Sequence, residues 1–191
     1  MTTDSQTPSL NELEYLPYLD DTGNLPEALQ KKIGIYAIFD QDKTLQLVGY
    51  SRDIYLSLKQ HLVRKLPACH WLKVQTITKP NRTQLESTKQ AWIEENGTNP
   101  PGNGLEEAAW NQPIDAKPTM TEEEQVNYEN SDELMQTKLL KKISRRVEAQ
   151  ILEELKSHGV QTEIRFNPKL KENGLLDLKS LVVGHWPLKG L

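Results

Sequence analysis

The chain has 191 residues, a formal net charge of -4 and a mean hydropathy of -0.66, so it suits one medium domain or a small domain with appendages, and it is too polar to be a single buried core throughout. It has no run of about 18 apolar residues, which excludes a membrane span, and Cys69, its single cysteine, excludes an internal disulfide or a cysteine-based zinc site. With one thiol and no basic-then-apolar leader in its first residues, a cytoplasmic protein is expected.

The charge is segregated. Residues 1–28 hold six acids and no Lys or Arg, residues 29–93 balance at +7, residues 94–133 at -10 and residues 134–191 at +5. A basic segment between acidic ones suits a domain that faces a polyanion, DNA or RNA, with tails that screen it. Acidic tails that serve only solubility fit equally well.

Residues 1–28 form an acidic leader punctuated by Pro17, Asp20-Asp21 and Gly23, with Leu25-Pro26-Glu27 set to open a short helical turn. Ile33 to Phe39 is rich in β-branched and aromatic residues, Asp40 to Lys43 is a turn composition, and Thr44 to Val48 is apolar again. Two short strands around a polar turn predict a β-hairpin. After Gly49 the period becomes helical through Ile54, Leu58, Leu62 and Leu66, with Ser51 or Asp53 as cap and Pro67 as stop. Trp71 to Thr78 alternates as a third strand, and Asn81 or Thr83 caps a second helix that runs to about Glu95 and ends in the Asn96 to Gly104 stretch. The expectation is an α+β domain over residues 29–104, a three-stranded antiparallel sheet in the order β-β-α-β-α. Residues 105–130, acidic and carrying Pro113 and Pro118, read as a linker, and residues 131–191 as an extension with a long helix. That helix sets Leu134, Leu139, Ile143, Val147, Ile151 and Leu155 about four apart. Val160 to Phe166 reads as a short strand, and Leu175 to Leu178 and Leu181 to Val183 as apolar pieces of the tail.

The hairpin also carries a resemblance. Gly34-Ile35-Tyr36, the spaced Leu47-Val48-Gly49, Leu58-Lys59-Gln60-His61, then Trp92-Ile93, Pro100-Pro101 and Asn103 occur in the order of the motifs of the GIY-YIG nuclease family, over about residues 30–104. The resemblance implies hydrolysis of a phosphodiester by water. Two tyrosines and a histidine position the water, an arginine holds the phosphate, and a glutamate holds Mg²⁺. Tyr36 and His61 match their positions, whereas the second tyrosine falls on Leu47 and the arginine on Ser57. The glutamate falls on Lys89 when counted back from Trp92, with Glu86 one turn earlier as the other candidate metal ligand. Arg52 is the candidate replacement cation. If the register holds, Tyr36, Leu47, Ser57, His61 and Lys89 line one concavity. Opposite faces for Ser57 and Lys89 would remove the inference of a decayed site.

Each residue also has a bland reading. Tyr36 suits the core, His61 a packed or solvated face, Glu86 a helix surface, and Cys69-His70 buried packing. The run Lys141-Lys142-Ile143-Ser144-Arg145-Arg146 suits either a phosphate backbone or the wet side of a helix. The resulting expectation is a non-catalytic GIY-YIG-like module. It binds nucleic acid through Lys59, Arg64, Lys65 and Lys73, or a protein through the helix over 131–158. The alternative is an active Mg²⁺-dependent DNA endonuclease with a rearranged site.

Overall fold

Residues 8–179 are described by the computed structural model. They divide into two compact units, the first closing at Trp110 and the second opening at Asn111. The expected apolar piece at Leu181 to Val183 lies outside the described residues.

In the first unit the leader joins the domain. Ser9 begins a 3-10 turn over Leu10–Glu12, and Leu16–Pro17 form a two-residue strand, β1. A second 3-10 turn, Glu27–Leu29, follows Pro26. The expected hairpin is β2 (Ile33–Phe39) and β3 (Leu45–Ser51), followed by α1 (Ile54–Arg64), β4 (Trp71–Ile77) and α2 (Arg82–Asn96). The sheet is antiparallel in the order β1-β4-β2-β3. It therefore has four strands, because Leu16 and Pro17 pair with Leu72 and Trp71.

Local chemistry sets the ends of the helices. Asp53 caps α1 by accepting from the Leu56 amide at 3.2 Å, and Asn81 caps α2 by accepting from Gln84 at 3.0 Å. Gly97, at φ 82°, terminates α2 in the left-handed conformation that glycine takes at little cost. Glu95 near that end reaches back to the leader, accepting from the amides of Leu10 (2.8 Å) and Asn11 (2.9 Å) and from the Ser9 hydroxyl.

Strand parity then assigns faces. Tyr36 pairs with Gly49, so Tyr36, Leu47, Gly49 and Ser51 share one face, while Ile35, Val48 and Tyr50 share the other. The second face holds a core of Leu10, Ile35, Ala37, Phe39, Leu45 and Val48 with Leu85 and Trp92 of α2. Sterics explain both motif glycines. A β-carbon on Gly34 would run into the Gln75 carbonyl of the next strand, and one on Gly49 would stand 2.7 Å from the Tyr36 hydroxyl. The free side of β3 is covered by Asn103, whose amide accepts from Val48 N at 2.7 Å and donates to Val48 O at 2.8 Å, as a neighbouring strand would.

The acidic stretch expected as a linker carries α3 (Glu107–Asn111), β5 (Ile114–Asp115) and α4 (Glu122–Glu129), the last opened by a Thr121/Glu124 capping box. The long helix is α5 (Glu133–Ser157), capped by Asp132, with Leu140, Ile143, Ser144, Val147 and Leu155 buried. The short strand of the extension is β6 (Leu175–Leu176), which pairs with β5. Val160 to Phe166 supplies only a single bridge, Phe166 to Leu178. Its alternation buries Thr162 and Phe166 without a neighbouring strand along its length.

Candidate functional site

Tyr36 stands mid-strand on β2, and His61 lies on the face of α1 that covers it. The Tyr36 hydroxyl and His61 Nε2 are 2.9 Å apart, and both side chains are buried, at 4% and 3% exposure. The other ring nitrogen of His61, Nδ1, is 3.0 Å from the Trp110 carbonyl oxygen. A carbonyl only accepts, so Nδ1 carries the proton. In the neutral ring Nε2 is then an acceptor, and Tyr36 donates to it.

Burial fixes these protonation states. It holds the His61 imidazole at a pKa of about 3, helped by the Arg64 guanidinium and opposed by the bond to Trp110. Burial also pushes the Tyr36 phenol well up, against the pull of the Ser57 hydroxyl and of Arg64. The pair is thus a neutral phenol on a neutral imidazole over the physiological range.

The lid on this pair is α3. Its Trp110 is fully buried, with its ring 5.5 Å from that of His61. Its carbonyl also accepts from Arg64 Nη1 at 3.0 Å, and Glu106 pairs with Lys65 at 2.7 Å. Below the pair, Tyr18 of the leader is buried and donates to the Leu58 carbonyl at 2.6 Å, and Cys69 is buried beside it. Nothing in the sequence marks Trp110 or Tyr18 as neighbours of Tyr36. The signals are that Trp110 is a large aromatic residue in an otherwise polar stretch and that Tyr18 sits in the largely apolar run from Leu13 to Leu19.

Four of the five expected positions fall on one face. Tyr36 and His61 meet directly, Leu47 is buried on the same side of β3, and Ser57 borders the phenol while donating to Ser51 at 2.7 Å. The fifth does not join them. Lys89 belongs to α2, which packs on the opposite face, and its amine stands 5.9 Å from the centre of the Tyr50 ring. Glu86 is on that face too, accepting from the Tyr50 hydroxyl at 2.8 Å. With Ser57 and Lys89 on opposite faces, the counted positions do not form one site. The inference of a decayed site, which rested on all five sharing one concavity, falls with Lys89.

Arg52 is exposed in the turn before α1. Of the expected phosphate contacts, Lys59 is half-buried, and Arg64 and Lys65 are committed to Trp110 and Glu106. Lys73 is corrected to an interior residue, because its amine donates to Leu10 O at 3.0 Å under the Tyr15 ring. Leu10 and Tyr15 of the leader are what cover it.

The residues at the Tyr36–His61 pair do not fit Mg²⁺, a hard cation that asks for carboxylate or other oxygen ligands. The pair brings a phenol and an imidazole, and Asp53, just before α1, is taken up as its cap. Among the described residues no group of three or more His, Cys, Asp or Glu is placed to hold a metal, and no helix is long and apolar enough to cross a membrane.

No protein-family model matches the chain. The chain is similar to a curated protein of Arabidopsis thaliana, the bifunctional monothiol glutaredoxin-S16, chloroplastic, at 36% identity over 103 residues. That stretch is 52% of this chain and 33% of the relative, so the chain spans about a third of the length of the curated protein it matches.

Proposed function

We propose that the first unit is a GIY-YIG-like module that acts by binding, with its Tyr36–His61 pair part of the core. The supporting observation is the burial of the Tyr36–His61 pair under Trp110. Phosphodiester hydrolysis needs a phosphate, a water and a metal within hydrogen-bond reach of the catalytic groups. Here the reach of His61 is used up by Tyr36 on one side and by a backbone carbonyl on the other. The alternative of a rearranged endonuclease built on Tyr36, His61, Arg52 and Glu86 would need Glu86 to act through the sheet.

The basic 29–93 segment is the binding face in this reading, with exposed Lys31, Lys32 and Arg52 in place of the interior Lys73. The ligand is DNA or RNA held by its backbone, and α5 is the surface for a protein partner. Glutaredoxin chemistry, which the name of the relative carries, finds no support in Cys69. Burial pushes its thiol up to about 12, whereas a redox thiol works as an exposed thiolate.

A nicking assay with Mg²⁺ or Mn²⁺ on plasmid, single-stranded and branched DNA tests the reading. No cleavage is expected, alongside binding that falls steeply between about 50 and 200 mM salt by counterion release. Metal-dependent cleavage abolished by His61→Ala and by Glu86→Ala would establish the endonuclease instead.

A further inference from the structure

The basic run on α5 does not stay together in the fold. Arg146 turns inward, donating to Glu124 at 2.6 and 3.0 Å and to the Thr119 carbonyl at 3.0 Å. Lys141 and Arg145, one turn apart on a different side, instead meet a segment some two dozen residues later in the chain. That segment holds Pro168 and Lys169 and the 3-10 turn Leu170–Asn173. Ser144 ties it to the helix by donating to the Lys171 carbonyl at 3.4 Å, and Gly174, at φ 72°, lets the chain turn away. Between the two runs a cleft of about 220 Å³ is lined by Lys141, Arg145, Lys169 and Lys171, with Pro168 and Glu172.

We infer that this cleft is a binding site for a phosphoryl group. Four cations face it from two chain segments, and Glu172 is the one acid in its lining. Glu172 is itself a resident anion. It pairs with Lys141 at 2.9 Å, and both side chains are well exposed, at 52% and 37%. An exposed pair of this kind contributes little to stability and exchanges readily. Lys171 is engaged with Glu148, which leaves Lys141, Arg145 and Lys169 as the groups to which an incoming anion adds contacts. A phosphoryl group offers three strong acceptor oxygens at a charge near -2, enough to meet a guanidinium fork and two ammonium groups at once. A carboxylate has only two oxygens. The cleft is smaller than the roughly 300–1,000 Å³ of sites that enclose whole organic ligands, so it suits the phosphoryl group and leaves the rest of its bearer outside. The ligand is a small phosphorylated molecule or the backbone of a nucleic-acid strand. The site belongs to the second unit and does not rest on the reading of Tyr36 and His61.

Calorimetric titration of the full chain tests this with pyrophosphate in one arm and a short single-stranded oligonucleotide in the other. Pyrophosphate is expected to bind at one site, weakened about tenfold or more by Arg145→Gln with Lys169→Gln, and the same pair should remove one component of oligonucleotide binding. Pyrophosphate binding should be unchanged by Lys156→Gln with Lys179→Gln, which removes the same charge elsewhere. Glu172→Gln should tighten binding by about twofold to fivefold, since the resident anion no longer competes. Tight binding of pyrophosphate points to a small phosphorylated ligand. Binding of the oligonucleotide alone, with the same dependence on Arg145 and Lys169, points to a strand. All five positions are exposed, and circular dichroism checks that each variant is folded. The inference is overturned if neither ligand binds, if both double variants weaken binding equally, or if polyglutamate binds through Arg145 and Lys169 and neither phosphate ligand does.

Discussion

Acidification should weaken the first unit through one side chain, His61. A free imidazole titrates near 6.5, but burial and Arg64 hold this one at about 3 in the folded protein. Below pH 6.5 the unfolded chain therefore binds a proton that the folded chain refuses. Stability is fully present above pH 6.5 and is lost, at about 1.4 kcal/mol per pH unit, as the pH falls toward 3. At pH 4 the loss is about 3 kcal/mol, a large part of the roughly 5–15 kcal/mol that a typical domain has. The measurement is urea unfolding at pH 7, 5.5 and 4, followed through the β2 amides, for the natural protein and for His61→Gln. Carboxylates titrate in both proteins and cancel in the difference. The stability advantage of the natural protein should shrink by that amount between pH 7 and pH 4. The same pH dependence in both proteins, or a native His61 imidazole signal titrating near 6.5, would refute the sealed, neutral histidine.

Two further outcomes follow from the same packing. Trp110→Ala removes a fully buried indole and should cost about 3–5 kcal/mol in a denaturant titration, while His61 moves toward an ordinary imidazole pKa in the same sample; a surface-sized loss would mean that α3 is not a lid. Gly49→Ala puts a β-carbon 2.7 Å from the Tyr36 hydroxyl and should cost about 1–3 kcal/mol, with the Tyr36–His61 bond disturbed in the imidazole spectrum; an unchanged spectrum and stability would contradict the face assigned to Tyr36.

The central fold was legible because its periods are clean. Ile33 to Phe39 and Trp71 to Ile77 alternate or run apolar, and Leu58 and Leu62 keep helical spacing between them. Leu16–Pro17 was not legible, since two residues cannot show a period of two and proline argues against a strand. The acidic helix α4 was hidden for another reason. Its stability comes from the Thr121 capping box and the Arg146 to Glu124 pair rather than from an apolar stripe. At the site, the pairing of Tyr36 with His61 could be read from motif order. The placement of Lys89 could not. Spacing along one helix fixes which residues share its face, but only the packing of α2 decides which side of the sheet that face meets. Trp110 was equally hidden, because the contact that closes the pair comes from the first residues after the resemblance ends.

The Asn103 clasp on Val48 has a consequence for how this protein can assemble. An exposed strand edge is an invitation to another chain, which can extend the sheet by laying a strand along it. On one side of this sheet, the amide and carbonyl of Val48 are already taken by a side chain, and Gly102 lies against the Gln46 carbonyl next to it. On the other, the edge is two residues long and ends in a proline with no amide proton to offer. Beyond it, the outer edge of β4 from Lys73 to Ile77 runs past β1, and among the described strands it pairs only with β2 on its inner side. A strand that extends this sheet is therefore turned away at β3 and would have to lie along β4 instead. At the β3 margin, recognition is left to side chains, where charge and shape set the choice of partner.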